Sequence, residues 1–182
     1  MNPGRTIGGT LAALLLAGGL ATAVTIRLPG GITVEAGRLA YDEKARSGEA
    51  RGAVRITAPQ RRLEAESVRF RLVRRGTAIE TLEAEGRVRL ETSSAGPDLR
   101  SLTASSQRLQ YEDRSGALTI MGEAVLRADT AEAGFEVSGS RVRFLPESKE
   151  LTAEGEARLT IPAQGVEVGA PKIALALAAR RV

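Results

Sequence analysis

From Ile32 onward, apolar residues fall on alternate positions. The sets are Val54 and Ile56; Val68, Phe70 and Leu72; Val88 and Leu90; Leu109 and Tyr111; Val142 and Phe144; Leu159 and Ile161. The intervening positions are mostly polar and often arginine: Arg55, Arg69, Arg71, Arg87, Arg89, Arg108, Arg141, Arg143 and Arg158. Side chains of an extended chain point to opposite faces in turn, so this alternation predicts strands with one face in a core and one in water. No sustained helical period appears in this stretch. The expected fold class is all-β.

Two phrases recur along the chain. The first pairs an apolar-x-small triplet with a following apolar-x-apolar triplet, as in Val34–Ala36 with Leu39–Tyr41 and Leu63–Ala65 with Val68–Phe70. It returns at Leu102–Ala104 with Leu109–Tyr111, at Phe135–Val137 with Val142–Phe144, and at Val166–Val168 with Ile173–Leu175. The second phrase is Gly-x-apolar-x-apolar, beginning at Gly52, Gly86, Gly122 and Gly155, glycines separated by 34, 36 and 33 residues. A fixed period in that range marks a stacked architecture.

The two halves of the first phrase are always an odd number of residues apart, three from Ala65 to Val68 and five from Ala104 to Leu109 and from Val137 to Val142. An odd step sends side chains to the opposite face unless a bulge or corner intervenes. Its recurrence predicts a built-in corner that keeps the apolar residues inside. The aromatics Tyr41, Phe70, Tyr111, Phe135 and Phe144 all fall on the inward parity, and none is expected to face water. Clusters of Gly, Pro, Ser and Asp mark the turns, among them Pro59, Gly96-Pro97-Asp98, Ser115-Gly116 and Pro146. Pro171 lies inside the last strand pattern, which suits an edge or a bulge. Inward alanines (Ala65, Ala104, Ala124, Ala153, Ala157) fit either a roomy lining or a thin, tightly packed interior.

The N-terminus breaks this pattern. After Arg5, an uncharged stretch rich in Leu, Ala and Gly runs from Ile7 to Ile26. As a helix it is long enough to span a bilayer, which takes about 20 residues. Ala21-Thr22-Ala23 fits a cleavage site. Residues 1–26 are therefore a cleaved secretory signal or an uncleaved signal anchor holding the protein to an inner membrane. A buried helix of the domain is disfavoured because no charged face is present. Residues 32–177 form one all-β domain.

Composition removes whole classes of chemistry. The chain has no cysteine and no histidine, which excludes Ser-His and Cys-His catalysis and thiolate metal sites. Lys44, Lys149 and Lys172 are not near a serine motif, and the carboxylates occur singly on outward positions or as turn pairs. No phosphate-binding loop, dinucleotide fingerprint or calcium loop is present. The expectation is no enzyme, no catalytic residue, no metal and no cofactor. The net charge of +4 is compatible with nucleic acid, anionic lipid or phosphorylated glycan. Stacking of bases on a sheet needs aromatics on the outward parity, so nucleic acid is not an expected partner. The interior is then either only a packed core or a space that accepts an acyl chain.

The string ITVEAGRLAYDEKARSGEARGAVRI followed by RLEAESVRF resembles the OstA-like family of periplasmic lipopolysaccharide-transport proteins, its LptA-like members first and its LptC-like members second. The resemblance is carried by Ala36, Leu39, Tyr41, Asp42, Ala50, Gly52, Val54, Leu63, Ala65 and Val68, and again by Ala104, Leu109, Tyr111, Leu118, Gly122 and Ala124. It implies an open, folded β-jellyroll (a β-taco) in the periplasm, stacked end to end with other OstA-like domains through edge strands. It also implies an apolar groove for the acyl chains of lipopolysaccharide or a related glycolipid. On the strand parity above, that groove would be lined by Val54, Ile56, Val68, Phe70, Val88, Leu90, Leu109, Tyr111, Val142 and Phe144. Arginines near its mouth are expected to hold phosphates. The alternative is a structural envelope module that assembles through its edges and binds no lipid.

Overall fold

In the computed structural model, residues 23–28, 30–73, 78–93, 99–130 and 133–176 are described. The alternating pattern resolves into strands: β1 (Val24–Leu28), β2 (Ile32–Ala36), β3 (Arg38–Asp42), β4 (Ser47–Ala58), β5 (Arg61–Leu72), β6 (Ile79–Ser93), β7 (Leu99–Glu112), β8 (Ala117–Thr130), β9 (Gly134–Leu145), β10 (Glu150–Ile161) and β11 (Val166–Ala176). A 3-10 turn, Pro162–Gln164, precedes β11. All pairs are antiparallel, and the sheet runs as an open path β1-β2-β4-β5-β6-β7-β8-β9-β10-β11. β3 pairs with β4 beside β2, so β2 and β3 together act as one strand broken at Gly37.

The corner is a bulge repeated at one level in successive strands. Between the pairs Arg51↔Ser67 and Val54↔Ala65, two residues of β4 (Gly52, Ala53) face the single Glu66 of β5. The same two-against-one count sets Gly86-Arg87 against Gln107, Gly122-Glu123 against Ser140, and Gly155-Glu156 against Pro171. All eight bulge residues have positive φ, from 43° at Arg87 to 79° at Gly52. Two successive left-handed residues bend a strand sharply. Aligned across the sheet, they fold it lengthwise along a crease. Gly37 continues that line, its N–H donating to the Gly52 carbonyl at 2.8 Å. Pro171 fits because the unbonded residue opposite a bulge needs no N–H.

Folding at the crease gives two leaves. One holds residues 24–28, 30–36, 54–65, 88–93, 99–105, 124–130, 133–138 and 157–170; the other holds 38–51, 67–73, 78–85, 108–121, 141–154 and 172–176. Among the described residues no helix or second sheet covers either leaf. Yet inner-face residues of both leaves belong to one buried cluster, from Val34, Leu126 and Val137 to Val68, Val142 and Leu151. A single sheet buries an apolar face in this way only by closing on itself.

Many buried alanines flank the crease, interleaved on their rows with Val68, Leu109, Ile120 and Val142. Ala36, Ala50, Ala65, Ala84, Ala104, Ala124, Ala153 and Ala157 are all buried within a few residues of it, where the leaves converge. Phe70, Leu72, Leu82, Leu102, Phe135 and Phe144 lie farther out, where the leaves are wider apart.

Two expectations are corrected. Tyr41 is 40% exposed instead of inward-buried. It lies on β3, the last described strand of its leaf, so one ring face stacks on Phe70 (centroids 6.3 Å apart) and, among the described residues, no further strand covers the other. The described end of the apolar N-terminal stretch, expected within a helix to Ile26, is strand. Val24, Thr25 and Ile26 belong to β1 and pair with Ala36, Glu35 and Val34 of β2. The expected leader up to residue 22 lies outside the described residues.

Candidate functional site

The ten residues expected to line the interior all lie on the inner face. Val54, Ile56, Val88 and Leu90 are on one leaf; Val68, Phe70, Leu109, Tyr111, Val142 and Phe144 are on the other. Eight are buried, while Leu90 and Tyr111 are half-buried.

Register joins these positions into rows that cross the strands. On one leaf, Ile56, Leu63, Leu90, Ala104, Leu126, Val137, Leu159 and Val168 are successive cross-strand partners. On the other, Gly48, Phe70, Leu82, Tyr111, Leu118, Phe144, Leu151 and Leu175 form the matching row. Each row crosses from β4 to β11, about 33 Å at about 4.8 Å per strand step. The interior is therefore an apolar track running the length of the sheet. Sequence reasoning named only part of each row. Leu63, Leu82, Leu118, Leu126, Leu151 and Leu159 obey the same alternation and were legible by it.

Gly48 has a specific role in its row. The Phe70 ring lies across its Cα, and a Cβ there would stand 2.4 Å from the ring. The missing side chain lets Phe70 lie flat and support Tyr41 at the N-terminal end of the track.

The inner side chains pack on one another. Val68 retains 1% of its exposure and Val142 none. An acyl chain could enter this interior only if the leaves part. The crease makes that separation a hinge motion, since the leaves are joined along one side.

At the free rim of the second leaf, the Tyr111 hydroxyl donates to Asp113 Oδ1 at 3.0 Å. Burial pushes the phenol pKa up, and the Asp113 carboxylate adds to this; the Arg61 charge opposes it.

The outer face is charged and paired. Glu64 accepts from Arg62 and Arg55, Glu49 from Arg51 and Arg69, Arg108 pairs with Glu85, and Lys172 pairs with Glu154. The Arg62 hydrogen bond, then that of Arg55, holds the Glu64 carboxyl below its usual range. A depression of about 170 Å³ lies among Arg62, Glu64, Arg89 and Glu91. Each exposed pair contributes little, about 0–1 kcal/mol. Their effect is to keep the outer face soluble, and they tie many strand arginines to glutamates.

Among the described residues the sheet ends at two edges with no further strand, β1 with β3 at one end and β11 at the other. Tyr41 and Val168, the two large hydrophobics with the greatest exposure among the described residues, lie one at each end. A family profile described as LptA/(LptD N-terminal domain) LPS transport protein matches residues 33–167. The chain belongs to this family. The matched span covers the sheet from β2 into β11, with the crease and both leaves. Among solved structures, the family fold is seen in LptH, the LptA-homologous periplasmic component of the lipopolysaccharide transport device of Pseudomonas aeruginosa. The two are 17% identical over 68% of this chain and 82% of that one, with a TM-score of 0.55. That likeness shows the shared fold. A search among curated proteins finds no match.

Proposed function

We propose that this protein is a periplasmic lipopolysaccharide-transport bridge, carrying acyl chains along the apolar track between its leaves. The observation that carries this reading is the pair of apolar rows, uninterrupted from β4 to β11 and ending at unpaired strand edges, in a chain of the LptA/LptD N-terminal family. An apolar interior takes acyl chains out of water, at roughly 25 cal/mol per Å² of apolar surface buried. The sugar and phosphate part of the glycolipid stays in solvent. Unpaired edges accept a further strand, so OstA-like domains stack end to end and join their tracks. Tyr41 and Val168 are the apolar contacts of that joint.

A second reading has its own support. The nearly complete burial of Val68 and Val142 also suits a structural envelope module with a solid core. Lipid content separates the two. Protein purified from its native envelope without detergent is analysed by native mass spectrometry. Stoichiometric lipopolysaccharide supports the bridge, and lipid-free protein that still assembles end to end supports the module.

A further inference from the structure

The two end strands reach different distances across the sheet. β11 crosses the crease and edges both leaves, with Val166–Ala170 on the first leaf and Lys172–Ala176 on the second. At the other end β1 lies on the first leaf, and its first residue, Val24, pairs with Ala36 beside the crease. Among the described residues β3 is then the edge of the second leaf, one strand short of β1. On the first leaf the two edges carry single, opposite charges. Arg27 is the one charged residue of β1, and Glu167 is the one charged residue of β11 before the crease. Both are exposed, and among the described residues neither has an ion-pair partner. Lys172, past the crease, is already held by Glu154 at 2.9 Å. A strand added at either edge must keep the crease in line. Ala170 pairs with Ala157 just past the β10 bulge, so aligning the creases of two copies sets Val24 of one against Ala170 of the next. β1 runs from crease to rim and β11 from rim to crease, so the two meet antiparallel. Ile26 then faces Val168 and Leu28 faces Val166 on the inner side, while Arg27 faces Glu167 on the outer side. A two-fold joint of two β11 edges about Pro171 instead sets inward Val168 against outward Ala174.

We propose that copies of this chain join head to tail through the first leaf alone, β1 of one copy against β11 of the next in this register, and that each joint leaves the second leaf open by the width of one strand. This rests on the end-to-end assembly proposed above and names its partner, its register and its leaf. Opposite charges directly across two strands stabilise the pairing and like charges destabilise it, so Arg27 and Glu167 fix which edges meet and in which register. The contact is heterologous, and repeating it extends the apolar rows from copy to copy. On the second leaf, β3 of one copy and Lys172–Ala176 of the next lie two strand steps apart, about 10 Å. Tyr41, the partner of Gly48, and Leu175 end the same inner row, so they face each other across this opening. The opening is a side window onto the track at every joint.

Charge reversal on purified, lipid-free protein tests the register. Arg27→Glu and Glu167→Arg should each weaken self-association about tenfold in analytical ultracentrifugation, by setting like charges opposite each other. The double variant Arg27→Glu/Glu167→Arg should associate nearly as well as wild type. Both positions are exposed, so circular dichroism should not change. A wild-type protein that stays monomeric at every attainable concentration, or a double variant as weak as the singles, overturns the joint. Disulfide trapping tests the leaf, because the chain has no cysteine of its own. Mixed Arg27→Cys and Glu167→Cys proteins should cross-link under mild oxidation. Mixed Ala40→Cys and Ala174→Cys proteins, at matching levels on the second leaf, should not, since a disulfide needs Cα atoms within about 7 Å. No cross-link in the first mixture overturns the joint, and a cross-link in the second overturns the window. None of these readings involves lipid, so failure of the joint is separate from failure of the bridge function, which lipid content decides.

Discussion

Gly86 carries φ of 76°, and a methyl group there would stand 2.6 Å from the Glu66 carboxylate. Gly86→Ala therefore meets two penalties. The left-handed backbone alone costs an L-residue about 1–2 kcal/mol, and displacing Glu66 adds to it. Urea unfolding should show a loss of at least that size. Arg87, its partner on the crease, is already a non-glycine residue at φ of 43°. Arg87→Gly should leave stability unchanged or raise it, because the ion pair lost with Glu66 is solvent-exposed. A loss above about 1 kcal/mol, larger than an exposed pair supplies, would contradict the strain argument. The spacing of these glycines was plain in the sequence, but their place was not. Their mid-strand place is hidden because a left-handed pair there leaves the alternation of its own strand in phase. Ala50 to Val54 is an even step across Gly52-Ala53, while the odd step shows only on the neighbouring strand.

Titratable residues give predictions with opposite signs. Glu64 has its folded pKa lowered, first by the Arg62 hydrogen bond and then by that of Arg55. Its contribution is present above the ordinary carboxylate value of 4.5 and is lost as pH falls through the folded value. Denaturant titrations below pH 4.5 should show a shallower decline for Glu64→Gln than for wild type. Tyr111 has its folded pKa raised by burial and then by Asp113, from an ordinary value of 10.0. Its contribution is present below that value and is lost as pH rises through the folded one. Tyr111→Phe should flatten the alkaline limb of the stability profile.

At the level of elements, the edges carry the consequences. Among the described residues β11 pairs only with β10, and Val168 on it remains 42% exposed. A lysine there places a charge on the edge, a common block to strand addition. Val168→Lys should weaken self-association at least tenfold in analytical ultracentrifugation while leaving the monomer's melting temperature within a few degrees. Equal association by the variant would put the contact elsewhere. Strand existence and facing were legible, because period-two alternation reports which face is buried. What failed was the treatment of ends. Tyr41 fits the inward parity, but parity does not say that β3 is the last strand of its leaf. Val24–Ile26 read as part of an apolar helix because hydrophobicity without alternation does not distinguish a leader from the edge strand that follows it.

Across the whole molecule, one mechanical idea connects these scales. Repeated bulges fold one sheet lengthwise, and the inner apolar side chains of both leaves pack into one buried cluster. The folded sheet with an apolar inner face was legible from the repeat. The closure of its interior was not, since spacing tells which residues face inward but not how far apart two leaves stand. The core substitution Phe70→Ala should cost about 3–5 kcal/mol, read from thermal unfolding. Phe70→Asp should abolish lipid delivery even in a background stabilised enough to fold.

The central claim is that the face bearing Val68 meets lipid while the face bearing Arg69 does not. A photo-crosslinking residue placed at each of these adjacent positions of β5, in cells, tests it directly. The account predicts a lipopolysaccharide adduct at position 68 and none at position 69. Adducts at neither position in folded protein, or at both equally, would contradict it and leave the interior as a core alone.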